Sequence, residues 1–137
     1  MKKIVVGAIV IVLGLLISLG PQFLFKVCDH GEDGYPHCHW SAQAEIGIGL
    51  LIVALGTCII VFTDTKTRLG LIIGVFMAGI IAFAIPNFLI GGCGMLNMKC
   101  RRVAFPALTA ESVFLLVFSA IILTVIAMQK PVTETIA

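Results

Sequence analysis

Charge is what this chain lacks. Asp, Glu, Lys and Arg make up 12% of its 137 residues, where a soluble domain carries about a quarter. Hydrophobic residues fill 60% of the sequence and the mean hydropathy is +1.16. No water-soluble fold could hide so much apolar surface, which excludes a soluble enzyme. No Walker sequence or other nucleotide-binding motif occurs, and no segment is suited to form a soluble catalytic domain. Cys-x-x-Cys, the spacing that commonly lowers a thiol pKa and poises a redox couple, is missing as well. With nine basic residues against seven acidic ones, no nucleic-acid partner is expected.

What is present is apolar and regularly spaced. Four stretches stand out: Ile4–Phe25, Ile46–Phe62, Leu69–Ile90 and Ala110–Met128. A helix rises 1.5 Å per residue, so roughly 20 residues cross a hydrocarbon core about 30 Å thick. The second stretch is short, and running it back through Ser41–Glu45 lengthens it at the interface. The expected fold is an all-α, single-domain bundle of four membrane spans at about 4–25, 42–62, 69–90 and 110–128. Lys2 and Lys3 before the first span resemble the start of a secretory signal. The run Ser18-Leu19-Gly20-Pro21-Gln22 offers no small-residue cleavage pattern, so the first span is expected to be retained.

Residues 21–28 (Pro-Gln-Phe-Leu-Phe-Lys-Val-Cys) echo residues 86–93 (Pro-Asn-Phe-Leu-Ile-Gly-Gly-Cys) at a spacing of 65. Cys38 and Cys100 continue the echo at 62, and Glu45 and Glu111 at 66. A fixed period implies one unit used twice, here about 1–65 and 66–130. Each unit holds an even number of spans, so the copies should be parallel, related by an axis along the membrane normal. Pro21 and Pro86 would then lie at matching depths, each kinking or ending its helix. In the third span Gly70, Gly74, Ala78 and Ala82 form a small-residue stripe, and Gly14 with Ser18 forms a shorter one. Such stripes let helix backbones approach closely in lipid.

Basic residues suggest an orientation. With both termini in the cytoplasm, the inner side carries Lys2, Lys3, Lys66, Arg68 and Lys130, and the outer loops Lys26, Lys99, Arg101 and Arg102. The two lysines before the first span favour that choice. It also puts the loop cysteines outside the plasma membrane, on the oxidising side where disulfides persist.

The chemistry-bearing residues concentrate in the two outer loops, about Lys26–Gln43 and Gly91–Thr109. Cys28, Cys38, Cys93 and Cys100 allow three pairings. The repeat favours Cys28–Cys38 and Cys93–Cys100, each closing a short loop; Cys58 reads as an apolar filler within the second span. These bridges would staple the loops, whereas thiol–disulfide exchange through Cys38 and Cys100 is the enzymatic alternative. His30, His37 and His39 share the first loop, and Met95 and Met98 the second. His37, His39, Met95 and Met98 could hold a metal ion, with Cu(I) or Zn(II) suited to such donors; no other cofactor is expected. Glu45 and Glu111 each lie where the chain re-enters the membrane. Both are expected in a first helical turn, as helix-end carboxylates favoured by the helix dipole, with Ser41 and Thr109 as caps. The other role open to them is transport. Trp40, Tyr35, Phe105, Arg101 and Arg102 are candidate interface residues at the outer cap.

The run from Cys38 through His39, Trp40, Ser41, Ala42, Gln43 and Ala44 to Glu45 carries a resemblance, as do Cys93-Gly94-Met95, Met98-Lys99-Cys100 and Pro106-Ala107-Leu108-Thr109. It resembles a small bacterial four-span membrane family catalogued as domain of unknown function 4418. The likeness covers nearly the whole chain. It implies an accessory role beside permeases of the ABC macrolide-exporter type. Pro36 stands where the second loop has Met98, so a Met-x-Cys pair is missing from the first loop. The leading expectation is a non-enzymatic accessory subunit of a larger membrane assembly, bound to lipid and to a membrane-protein partner or to further copies of itself. A thiol oxidoreductase and a metal or small-solute carrier are the alternatives.

Overall fold

The computed structural model describes residues 2–24, 37–89, 102–103 and 105–129. They form four long helices: α1 (Lys2–Leu19), α2 (His37–Val61), α3 (Thr65–Ala84) and α4 (Phe105–Gln129). No strand occurs among the described residues. Each helix contributes a segment long and apolar enough to cross a membrane: Lys2–Leu19, Trp40–Val61, Thr65–Leu89 and Phe105–Gln129. The chain is a multi-pass membrane protein.

Two helices start earlier than their apolar content predicts. α2 begins at His37, directly after Pro36, and α4 at Phe105, with Pro106 as its second residue. A proline in or just before a first turn costs nothing, because those N–H groups have no intrahelical acceptor. Hydropathy misses such starts, since a helix end at the membrane interface needs no apolar side chains. His37, Cys38 and His39 therefore belong to the first turn of α2, where the sequence predicted a loop.

α1 and α3 both stop at their prolines in the same way. The α-helical register ends at Leu19 and at Ala84, and each helix continues as a five-residue π-helical turn, Gly20–Leu24 and Ile85–Leu89. The proline is the second residue of each turn. Lacking an N–H and crowding the preceding turn, it forces the wider register.

Buried residues follow a three–four alternation in every helix: Gly7, Val10, Gly14 and Ile17 in α1; Ala42, Glu45, Gly49, Ile52, Gly56 and Ile59 in α2. α3 continues it with Ile72, Val75, Gly79 and Ala82, and α4 with Leu108, Ser112, Leu115 and Ser119. A repeat averaging 3.5 residues is the seam of left-handed helix packing. The core is apolar, with Ile17, Ile52, Ile59 and Leu115 all 0% exposed. The buried hydroxyls of Ser112 and Ser119 donate to Leu108 O and Leu115 O, both at 2.8 Å, and so are satisfied within their own helix.

Contact is most extensive between α1 and α2, then between α3 and α4, then between α2 and α3, while α1 and α4 touch more thinly. The helices thus ring the core in chain order, with α2 and α4 across the diagonal. The tightest seam is α1 against α2. A Cβ on Gly49 would stand 2.6 Å from Ser18 N and 2.7 Å from Gly14 O, and one on Gly14 would stand 2.9 Å from Gly49 O. The short Gly14–Ser18 stripe is therefore used as expected. The longer stripe is used only in part: Ala78 and Ala82 are buried, Gly74 meets Leu55 at ordinary distance, and Gly70 faces open space.

At one end of the bundle, Phe62–Asp64 joins α2 to α3, and Lys3 Nζ donates to Thr63 Oγ1 at 3.4 Å. Asp64 caps α3, accepting from Thr67 N at 3.1 Å and Thr67 Oγ1 at 3.0 Å. The Thr67 backbone N–H is the main reason its carboxyl is held below the usual carboxylate range. Lys2, Lys3, Lys66 and Arg68 all cluster at this turn end. Both proline turns and the starts of α2 and α4 lie at the opposite, proline end.

Candidate functional site

The anomaly in this apolar bundle is Glu45. It is 0% exposed, and among the described residues neither carboxylate oxygen has a hydrogen-bond partner. It occupies a seam position of α2 between Ala42 and Gly49, facing the core by the same periodicity that buries Ile52. Ser41, one turn earlier on that face, is 4% exposed, and its Oγ also has no partner. Helical side chains lean toward the N-terminus of their helix, so the Glu45 carboxylate is carried back over the Ser41 turn.

The second carboxylate comes from across the bundle. Glu111 is half-buried, and its Oε2 is buried without a partner. It lies near the same proline end as Glu45, on a helix diagonal to α2 across the bundle. Neither lies in a first turn, where the sequence predicted helix-end carboxylates. Glu45 is eight residues past the start of α2 and Glu111 six past the start of α4, depths of about 12 Å and 9 Å along the helix axis. The free N–H groups of the helix start do not extend that far. Ser41 and Thr109, predicted as caps, are each the fifth residue of their helix. The early proline-flanked starts account for all four differences.

Around the pair, polar groups that do find partners are local. Asn87, in the π turn of Pro86, donates through Nδ2 to Phe83 O at 2.8 Å and to Thr109 Oγ1 at 3.3 Å. That ties the end of α3 to the start of α4. Beside it, an open groove of about 690 Å³ runs along the outer face of α4, lined by Asn87, Phe105, Thr109, Val113 and Val117 among others. Trp40 is 59% exposed at the proline end and Arg102 is exposed.

The cysteine and metal readings fall mostly elsewhere. Cys28, Cys93, Cys100, Met95, Met98 and Arg101 lie outside the described residues, and the disulfide pairs with them. So do the side chains of His37, Cys38 and His39. Cys58 is a free thiol, half-buried within α2, in keeping with a filler. Among the described residues no three His, Cys, Asp or Glu side chains gather into a metal cluster. What sequence reasoning overlooked is Ser41 as a neighbour of Glu45 in the core. The signal was available in the Ala42, Glu45, Gly49, Ile52 alternation, which puts the carboxylate on the buried seam.

No curated protein and no solved structure matches this chain. One family profile does, over residues 10–125, from the middle of α1 to the last turns of α4. That is most of the chain, and it takes in every element of the bundle. The protein belongs to the family described as Domain of unknown function (DUF4418).

Proposed function

We propose that this protein is a non-enzymatic accessory subunit that works by lateral association with another membrane protein. One observation carries this reading: α4 is the least covered helix, with 17% of its apolar window buried against 39% in α3. Exposed Val113, Phe114, Val117 and Ile121 run along it and continue into the groove at Asn87 and Thr109. Lipid tails are as apolar as these side chains, so association would come from packing and from a few polar contacts rather than from hydrophobic drive. Arg102, exposed just before the start of α4, lies at the proline end of that helix.

The proposal includes two parallel repeats. Supporting it are the π turns at Pro21 and Pro86, each with proline in second position and both at the same end of the bundle. With the turn end in the cytoplasm of the plasma membrane, the basic cluster of Lys2, Lys3, Lys66 and Arg68 is inside. The Cys28–Cys38 and Cys93–Cys100 staples then lie outside.

Site-specific photo-crosslinking in native membranes tests the association. A photoreactive residue at Val117 on α4 should give a discrete protein adduct, and one at Val12 on α1 should give none. Lipid adducts alone at both positions would overturn the reading, and an adduct of twice the chain mass would replace the foreign partner with a second copy.

A further inference from the structure

We propose that Glu45, Glu111 and Ser41 form a binding site for a hard divalent cation, in the bundle between α2 and α4 near its proline end. The inference stands independently of lateral association. Four oxygens carry it: Oε1 and Oε2 of Glu45, Oε2 of Glu111 and Oγ of Ser41. All four are buried, and none makes a hydrogen bond among the described residues. Deprotonated carboxylates only accept, so a bound cation would satisfy oxygens that no described donor reaches. The described Lys2, Lys3, Lys66 and Arg68 sit at the turn end, and Arg102 is exposed. No described side chain neutralises the pair.

An uncompensated charge within a membrane span is costly, and such residues characteristically mark ion sites. The donor chemistry selects the ligand. Oxygen-only coordination suits Mg²⁺, Ca²⁺ or Mn²⁺ and disfavours soft metals that need thiolate or imidazole. Two carboxylates balance a double positive charge, where a monovalent ion would leave the site net negative. Hard cations of this class take six to eight oxygens and commonly retain water, so four protein oxygens leave room for it.

The test uses the full-length protein, stripped of metal and placed in lipid nanodiscs, with Mn²⁺ as the probe followed by electron paramagnetic resonance. One Mn²⁺ per chain should bind, displaced by Mg²⁺ or Ca²⁺ but not by an equal ionic strength of Na⁺. Glu45→Gln and Glu111→Gln should each weaken binding at least tenfold, and Ser41→Ala a few-fold, while His37→Ala with His39→Ala leaves it unchanged. Absence of saturable Mn²⁺ binding by the wild type would overturn the proposal. So would binding that survives Glu45→Gln, or that is lost with His37 and His39. If Glu45→Gln fails to fold, the wild-type competition series and Glu111→Gln decide the matter.

Discussion

Glu45 on α2 and Glu111 on α4 each bury a carboxylate oxygen that has no hydrogen-bond partner among the described residues, although their two helices pack chiefly against their neighbours. Glu45 is fully enclosed, while Glu111 stays half-buried. Without a counter-ion this pair opposes folding, because a buried polar group left without partners loses its hydration and regains nothing.

A sign reversal follows for stability. In metal-free buffer Glu45→Leu should stabilise the bundle by about 1–3 kcal/mol, the penalty of an unpartnered buried group. Unfolding in mixed micelles with a chelator present would measure it. A loss of stability there would mean the carboxylate already has a partner.

Glycine substitutions should separate the two small-residue stripes. Gly49→Ala puts a methyl group against backbone atoms of Gly14 and Ser18 and should cost about 1–3 kcal/mol through overpacking. Gly70→Ala meets nothing within 4 Å and should gain up to about 1 kcal/mol from helix propensity. Comparing the two melting midpoints in one detergent tests both signs.

Asp64 gives a pH dependence at the turn end. Its carboxyl is held below the usual range by the Thr67 N–H, with the Thr67 hydroxyl adding to the effect. A depressed pKa means that its contribution is complete above the unfolded-state value and is lost as pH falls through the folded one. The stability difference between wild type and Asp64→Asn should thus be full at neutral pH and shrink in the acidic range. A difference constant down to strongly acidic pH would contradict this.

Intact mass before and after alkylation, without reductant, should show two disulfides, with Cys58 the one thiol modified. Peptide mapping should join Cys28 to Cys38 and Cys93 to Cys100. Cys38→Ser should then destabilise the protein by about 2–4 kcal/mol, leaving all four helices in place by circular dichroism. Bridges running between the two loops would rule out the matched pairing.

The sequence by itself determined the class. So few charges and four long apolar runs admit nothing but membrane helices, and Pro21 and Pro86 marked where α1 and α3 leave the α register, because a missing N–H acts locally. Burial of Gly14 and Ser18 was legible for the same reason: small size is a property of the residue. What only the tertiary structure decided was which groups face one another. Gly70 and Ala82 look alike in a stripe, yet Gly70 faces open space while Ala82 is fully buried, because the neighbouring helix sets which stretch is covered. Glu45 and Glu111 look like end-caps while the helix starts are read from hydropathy. With α2 starting at His37 and α4 at Phe105, Glu45 lies eight residues and Glu111 six residues inside its helix, beyond the first turn in both cases. The seam of α2 then turns Glu45 into the core, because a 3.5-residue repeat fixes direction as well as depth.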